Sequence, residues 1–527
     1  MAIEYIKKFE MLKSDRMNWD SHWEECAQYA LPRKDDVYQT RTAGEKKFSK
    51  VFESTAVHSN ELLSSALHSM LTNSATNWFE LTTGDDTLDM DDEVRLWLQD
   101  TVKKMHNVIN GSNFHTHIHE LYLDLGVFGT GLMRIEEDDE EIIRVQTRPI
   151  YEAYIREDAH SKVNTVYRIF KMDIRQMADM FGTDNFDNQL ENLLKSNDTQ
   201  KYEILHCVEP VEKDDEFDKK GFAFKSLYIL KHRQLYLQSG GFKEFPYVVP
   251  RWTKIAGEVY GRSPTMKALA DIKMTNVVTK TTIRSAQKIV DPPLLAPDDG
   301  YALPLKTAPG AINFYRPGSQ PIVPLQTGSR IDFGIQFIEM INRRIREAFF
   351  IDQLQLNVGP QMTATEVAQR TEEKLRLLGP VLGRQHYELL KPLVNRIFSI
   401  MMRKEMFSEV PEVLQDRDIQ VQYSSKIAKA QRSADADVLV KVLNVIGPVI
   451  QLKPEIMDNV NGDLLLRYVS KAYGLPEQVL RPFDDVVQDR VERQKQQQEM
   501  AAMQQAQQMA DVANKAAPLM QQQQQGA

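Results

Sequence analysis

Between residues 264 and 404 the sequence alternates in a way that few folds accommodate: long helix, Pro/Gly-rich insert, helix, polar loop, long helix. The first helix, 264–290, has a strong start, with Ser263 as cap and Pro264 at the first helical position. At 1.5 Å per residue it spans roughly 40 Å. Pro292-Pro293 stops it, and the insert 291–329 (PPLLAPDDGYALPLKTAPGAINFYRPGSQPIVPLQTG from 292 on) can hold short strands and turns but no long helix. The second helix, 330–350, places Ile331, Ile335, Ile338, Ile341, Ile345 and Phe349 on one stripe, so one face must pack on a neighbour. A polar loop, 351–362, follows. Thr363 and Glu366 then form a capping box that opens a third helix to about 404, which Gly379-Pro380 must kink. A small lobe carried on two antiparallel helices is a stalk. A lone stalk exposes its apolar stripes, whereas copies packed in a closing ring bury them. The other reading is an ordinary helical hairpin buried in its own domain.

The remainder predicts an α+β chain, mainly helical. Helices are expected over 3–30 (ended by Pro32), 53–76 (capped by Ser54 or Thr55), 91–110, 113–127 and 173–197. Strands are expected at 78–81, in a hairpin over 129–150, at 151–155 and at 165–170. They are also expected as an antiparallel run over 202–250 with Gly240-Gly241 as a turn. Short helices and loops fill 405–490. The Gln-rich segment 491–527 is either a solvated helix or disorder.

Composition removes several functional classes. At 527 residues the chain exceeds one ordinary core. No run approaches the ~18 apolar residues of a membrane span, and the start is an amphipathic helix without an apolar signal core. The net charge is −9, so the basic surplus of a tight DNA binder is absent, and any DNA contact must be local or weak. Cys26 and Cys207 lie far apart and read as buried thiols, with too few sulfurs for a thiolate zinc site.

Candidate chemistry is sparse. There is no phosphate loop, and Gly126–Gly131 leads into a strand, which is a tight helix-to-strand connection rather than a nucleotide site. ATP-driven work must then come from a partner. His115 and His119 share a helix face at i, i+4, a spacing that can hold zinc, but no acid or cysteine is spaced to complete the set, so His115, His117 and His119 read as polar surface. The six acids Glu136 to Glu141 lack the interleaving and glycine of a calcium loop and read as a solvated hairpin turn, or a contact for a basic partner. No catalytic residue, metal or cofactor is assigned. The stalk helices are locally basic: Lys267, Lys273, Lys280, Arg284 and Lys288 oppose Asp271 in the first, and Arg343, Arg344 and Arg346 end the second. Phosphate contact and inter-subunit ion pairing explain these cations equally well.

Three stretches resemble the head-to-tail connector (portal) family of short-tailed bacteriophages: Cys26-Ala27-Gln28-Tyr29-Ala30-Leu31-Pro32, Gly257-Glu258-Val259-Tyr260-Gly261-Arg262-Ser263-Pro264, and Met362-Thr363-Ala364-Thr365-Glu366-Val367. The resemblance is collinear over about residues 1–490. It implies a portal fold in a dodecameric ring around a channel. The wing is 1–263 plus the kinked helix 363–404, the stem 264–290 with 330–350, the clip 291–329, the crown 405–490, and 491–527 the tail. The loop 351–362 becomes a tunnel loop offering Gln353, Gln355, Asn357 and Gln361 as neutral hydrogen-bonding groups, with Gly359-Pro360 allowing a bend. Lys273, Lys280, Arg284, Lys288, Arg343, Arg344 and Arg346 become candidate DNA-channel residues. The implied partners are double-stranded DNA, the terminase large subunit, scaffold and major capsid proteins, a tail adaptor and internal core proteins, with no membrane. The implied place is the virion head-tail junction at a unique capsid vertex, after assembly in the host cytoplasm. The competing class is a metal-dependent DNA-processing enzyme of a phage, which needs carboxylates converging from separated segments.

Overall fold

The computed structural model describes residues 2–34, 51–85, 88–89, 91–196, 198–295, 322–325, 331–354, 378–414, 420–423, 438–448, 459–473 and 479–481. It also describes 483–524 and a few isolated positions. The chain divides into two compact units, 1–79 with 103–407, and 80–102 with 408–527.

The larger unit is built on an antiparallel five-stranded meander. Its strands are β4 (Ala153–Glu157), β5 (Val163–Met172), β6 (Tyr202–Pro210), β7 (Phe224–Leu230) and β8 (Leu235–Phe242), in sequence order. Side-chain alternation sends Leu205 and Cys207 of β6 to one face and Ile204 and His206 to the other. The first face is covered by α1 (Ala2–Ala30), whose Phe9 meets Tyr154 edge-on at 4.8 Å. The second is covered by α5 (Ile174–Phe181) and α6 (Asn188–Lys195) through Ile174, Met177 and Leu190. Both cysteines are free and buried.

Two expectations are corrected here. The span 173–197 is two short helices rather than one, because Asp173 and Asp187 each cap a new start, Asp173 with Gln176 in a reciprocal box. Gly240-Gly241 is no turn. Both glycines lie inside β8, paired with Ser226 and Lys225, and the β7–β8 turn is Lys231–Arg233 followed by Gln234 at φ 55°. Gly241 is required there because a Cβ would sit 2.5 Å from the Phe222 ring.

A second layer consists of α2 (Thr55–Leu71) packed on α4 (Phe114–Phe128), next to a small sheet of β3 (Ile142–Thr147), β2 (Met133–Asp138) and β9 (Tyr247–Val248). Neither Ser54 nor Thr55 caps α2. Ser54 makes no side-chain cap bond, and the Glu53 carboxylate accepts from the Thr55 amide at 3.0 Å instead. Gly129, at φ 72°, turns α4 toward β2, and a Cβ there would strike Gly261 and Arg262 backbone at 2.5–2.7 Å. The glycine-rich run is thus the helix-to-strand connection that its pattern predicts.

The hairpin follows. Helix α8 (Pro264–Val290) and helix α9 (Ile331–Ala348) pack antiparallel. Close approach is allowed by Gly334, whose Cβ would come 2.7 Å from the Thr282 hydroxyl. At the far end Leu294–Leu295 pairs antiparallel with Val323–Pro324. Residues 378–385 are helical, 386–390 form a π turn, and the helix continues over Lys391–Arg403. The capping box Thr363–Glu366 and the residues preceding Leu378 lie outside the described residues, so the kink expected at Gly379-Pro380 is untested.

In the smaller unit, Phe79–Thr82 pairs with Gln420–Tyr423, and Trp97 Nε1 donates to the Ser408 carbonyl at 3.1 Å. Arg467, in the helix Gly462–Tyr473, pairs with Asp92 at 2.7 Å. The segment Phe483–Gln524 is helical, and 491–504 is exposed throughout. Of the two expectations for the Gln-rich segment, helix is the one found over its described part.

Candidate functional site

The base of the hairpin is assembled from polar groups that leave each other no freedom. Ser263 Oγ accepts from the Met266 amide at 3.0 Å and donates to the Val127 carbonyl at 2.7 Å, so one hydroxyl caps α8 and fastens it to α4. Thr265 Oγ1 donates to the Gly126 carbonyl at 2.7 Å. Beside this joint Arg251 is 2% exposed. Its guanidinium grips Glu388 in a fork at 2.9 and 2.8 Å and also pairs with Glu157. It donates further to the Val259 and Ser161 carbonyls, each at 3.1 Å. Gln385 Nε2 donates to the Arg251 carbonyl at 2.8 Å. The π turn carrying Glu388 is thereby locked to the sheet edge carrying Glu157.

Further along, Asn276 is buried. Its Oδ1 accepts from the Phe52 and Glu53 amides at 2.8 and 3.3 Å, and its Nδ2 donates to Ile272 O at 2.9 Å. The Glu53 carboxylate that caps α2 also accepts from Asn342 Nδ2 of α9 at 3.4 Å. One acid and two amides therefore fix α2, α8 and α9 together. Apolar burial follows the same boundary: on α8 the buried residues run from Pro264 to Asn276, and on α9 the buried pair Ile341 and Ile345 leads to Phe349. Ile335, on the same predicted stripe, is half exposed, so the stripe is covered only toward the base.

Beyond Asn276 large apolar side chains of the hairpin are exposed. Val277 is 65% and Phe333 68% exposed, and Ile283, Ile289, Val290 and Met340 are exposed as well. Lys273, Lys280, Arg284 and Lys288 are spaced by seven, four and four residues, which puts them on one face of α8, away from the buried side. They are not equivalent. Lys273 is engaged with Glu25 of α1, whose hydrogen bond and charge raise the lysine's pKa. Lys280 Nζ lies 4.9 Å over the Phe52 ring. Arg284 and Lys288 are exposed, with no ion-pair partner among the described residues. Arg343, Arg344 and Arg346 are exposed on α9 but step around the helix, so they do not form one face.

The predicted polar loop begins differently from expectation. Phe350 takes φ 60°, and a helical turn, α10 (Ile351–Leu354), follows, so Gln353 belongs to a helix packed beside α2. The Gln353 side-chain oxygen is buried without a hydrogen-bond partner among the described residues. Gln355, Asn357 and Gln361 lie outside the described residues.

The acidic hairpin is not merely solvated. Arg403 bridges Glu137 and Glu244, Lys404 Nζ donates to the Asp138 carbonyl, and Arg144 pairs with Asp138 at 2.9 Å. The amides of Glu141 and Glu140 hold the Asp138 carboxyl below its usual range. Of the histidines, His117 accepts from the Thr147 amide at 3.3 Å, whereas His115 turns toward His68 of α2.

Asn276, Glu53 and Arg251 were not singled out from sequence. Phe52, Asn342, Glu157 and Glu388, which join them to other elements, lie more than 90 positions away, and no local pattern marks them, except that Glu53 stands just before a predicted helix start.

This chain belongs to a family of phage connectors: residues 2–480 match the family model described as bacteriophage head to tail connecting protein. It is 31% identical over 513 residues to the portal protein of Salmonella phage epsilon15, covering 94% of this chain and 92% of that one. It is 30% identical over 509 residues to the probable portal protein of Bordetella phage BPP-1, covering 94% and 91%. Among solved structures it is similar to a chain in the neck of an empty GTA particle computed with C6 symmetry, with TM-score 0.37 and 11% identity, covering 73% of this chain and 86% of the other.

Proposed function

We propose that the chain is a portal subunit whose copies close into a ring, about twelve by family resemblance, at one capsid vertex of a short-tailed phage. Double-stranded DNA is packaged and ejected through that ring. The observation that carries this reading is the hairpin itself: fixed at its base by buried polar groups and left apolar and uncovered beyond Asn276. A surface of that kind is completed by neighbouring copies. In this reading 264–290 and 330–350 are the stem, 291–329 the clip, 1–263 with 363–404 the wing, 405–490 the crown, and 491–527 the Gln-rich C-terminal tail.

The α8 cation stripe faces DNA through Lys280, Arg284 and Lys288, while Lys273 is committed to α1 and contributes less. A few scattered cations on an acidic chain suit passage, because each phosphate contact is weak and exchanges quickly. Gln355, Asn357 and Gln361 supply a neutral collar. The energy for packaging comes from the terminase, which docks on the ring. Scaffold and capsid proteins, internal core proteins and a tail adaptor are the other partners. Mass photometry and a magnesium-supplemented nuclease assay test the reading together. An inert ring of about twelve copies supports it; a monomer that cuts DNA contradicts it.

A further inference from the structure

His68, near the end of α2, brings to α4 the histidine that sequence spacing alone could not supply. Its Nε2 lies 3.3 Å from Nδ1 of His115, with the rings nearly perpendicular at 5.4 Å. His119, one turn beyond His115 on the same face, has its ring 6.5 Å from that of His68. The tautomer of His115 is set by its other nitrogen. Asn110 donates through Nδ2 to the Ser74 carbonyl at 3.3 Å, which turns Oδ1 toward His115 Nε2 at 2.8 Å. Nε2 therefore carries the hydrogen and Nδ1 accepts from His68 Nε2; a bound ion would replace this N–H···N bond, with the His68 hydrogen moved to its own Nδ1. An outer carbonyl that orients an imidazole in this way is the usual support of a metal-ligating histidine.

Two nitrogens bound to one tetrahedral zinc at ~2.0–2.1 Å stand roughly 3.3–3.4 Å apart, and the His68–His115 separation matches. The helices carrying them are rigid: α2 and α4 share a core that includes Leu67, Leu71, Ile118, Leu121 and Tyr122, and the Thr72 hydroxyl meets that of Tyr122 at 3.3 Å. The three rings are only partly buried, so an ion can reach them.

We infer that His68 and His115, joined by His119, form a binding site for a borderline divalent transition-metal ion of the zinc class, clamping α2 to α4. Among the described residues no three ligand-type side chains are already gathered around one point. The site therefore closes by rotation of His119, with water in the fourth position. This inference is independent of the portal reading.

The test is zinc titration by calorimetry of the assembled full-length protein without a polyhistidine tag. The expected result is one saturable zinc per subunit and a zinc-dependent rise in thermal midpoint. His68→Ala and His115→Ala should each remove the saturable step, Asn110→Leu should weaken it about tenfold or more, and His117→Ala should leave it unchanged. Absence of a saturable step in the unmutated protein overturns the site, as does a step that survives His68→Ala or His115→Ala. Cobalt(II) added to the unmutated protein gives a readout that needs no variant: an intense visible ligand-field band supports the site, and the pale spectrum of aqueous cobalt overturns it.

Discussion

The two halves of α8 obey different rules. From Pro264 to Asn276 every turn carries a buried residue, α1 and α4 pack on the helix, and Ser263, Thr265 and Asn276 are matched by Val127, Gly126, Phe52 and Glu53. From Val277 to Val290 the same helix carries exposed valine, isoleucine and lysine with few partners of its own. One continuous backbone thus serves as an anchor and then as a presented surface. In the proposed ring the exposed half is not a poorly packed core; its companion is a neighbouring copy. Substitutions on the two sides of Asn276 should therefore separate into those that damage folding and those that damage assembly.

The largest effect is expected at the anchor. Arg251→Ala removes the cation that joins Glu388 to Glu157, leaving them with Arg384 and Lys254, and should cost about 3 kcal/mol, read by denaturant unfolding. Asn276→Ala leaves the Phe52 and Glu53 amides unsatisfied and should cost about 1–3 kcal/mol in the same assay. If Val277→Ser costs as much, the division at residue 276 fails.

Acid should act on the anchored unit rather than on the outer hairpin. His206 is fully buried, stacked on Tyr228 at 4.0 Å and bonded to Tyr247 and Ser226. Burial, followed by the charges of Arg134 and Arg168, holds its pKa well below 6.5. The folded state therefore resists its protonation. Its stability is complete above the unfolded-state value near 6.5 and declines as pH falls below it. Unfolding midpoints measured across that range should lose this slope in His206→Gln.

Smaller effects belong to the presented half. Val277→Asp with Phe333→Asp should leave subunit stability within ~0.5 kcal/mol yet lower the yield of rings by mass measurement. Arg284→Ala with Lys288→Ala should change neither stability nor ring yield, and should reduce only the salt dependence of DNA retention.

Much of this division was legible beforehand. The Ser263-Pro264 start of α8 and the Ile341–Ile345–Phe349 stripe are local signals, and local signals survive folding. The π turn at His386–Leu390 and the Asn276–Glu53–Asn342 joint were not legible, because each depends on groups brought together from distant positions. The Gly240-Gly241 error has a definite origin: Gly241, required by the Phe222 ring pressed against the strand, looks in sequence like a glycine required by a turn. Of the channel candidates, the sequence marked α8 as locally basic but could not show that Glu25 already occupies Lys273. For His115 the missing partner was His68, 47 positions upstream on another helix.

The most direct test of the central claim is an electron-microscopic reconstruction of the purified protein. The account predicts a closed ring in which the exposed halves of α8 and α9 from adjacent copies lie side by side around the opening, with Arg284 and Lys288 facing the lumen. A monomer, or a ring whose hairpins stand apart in solvent, contradicts it.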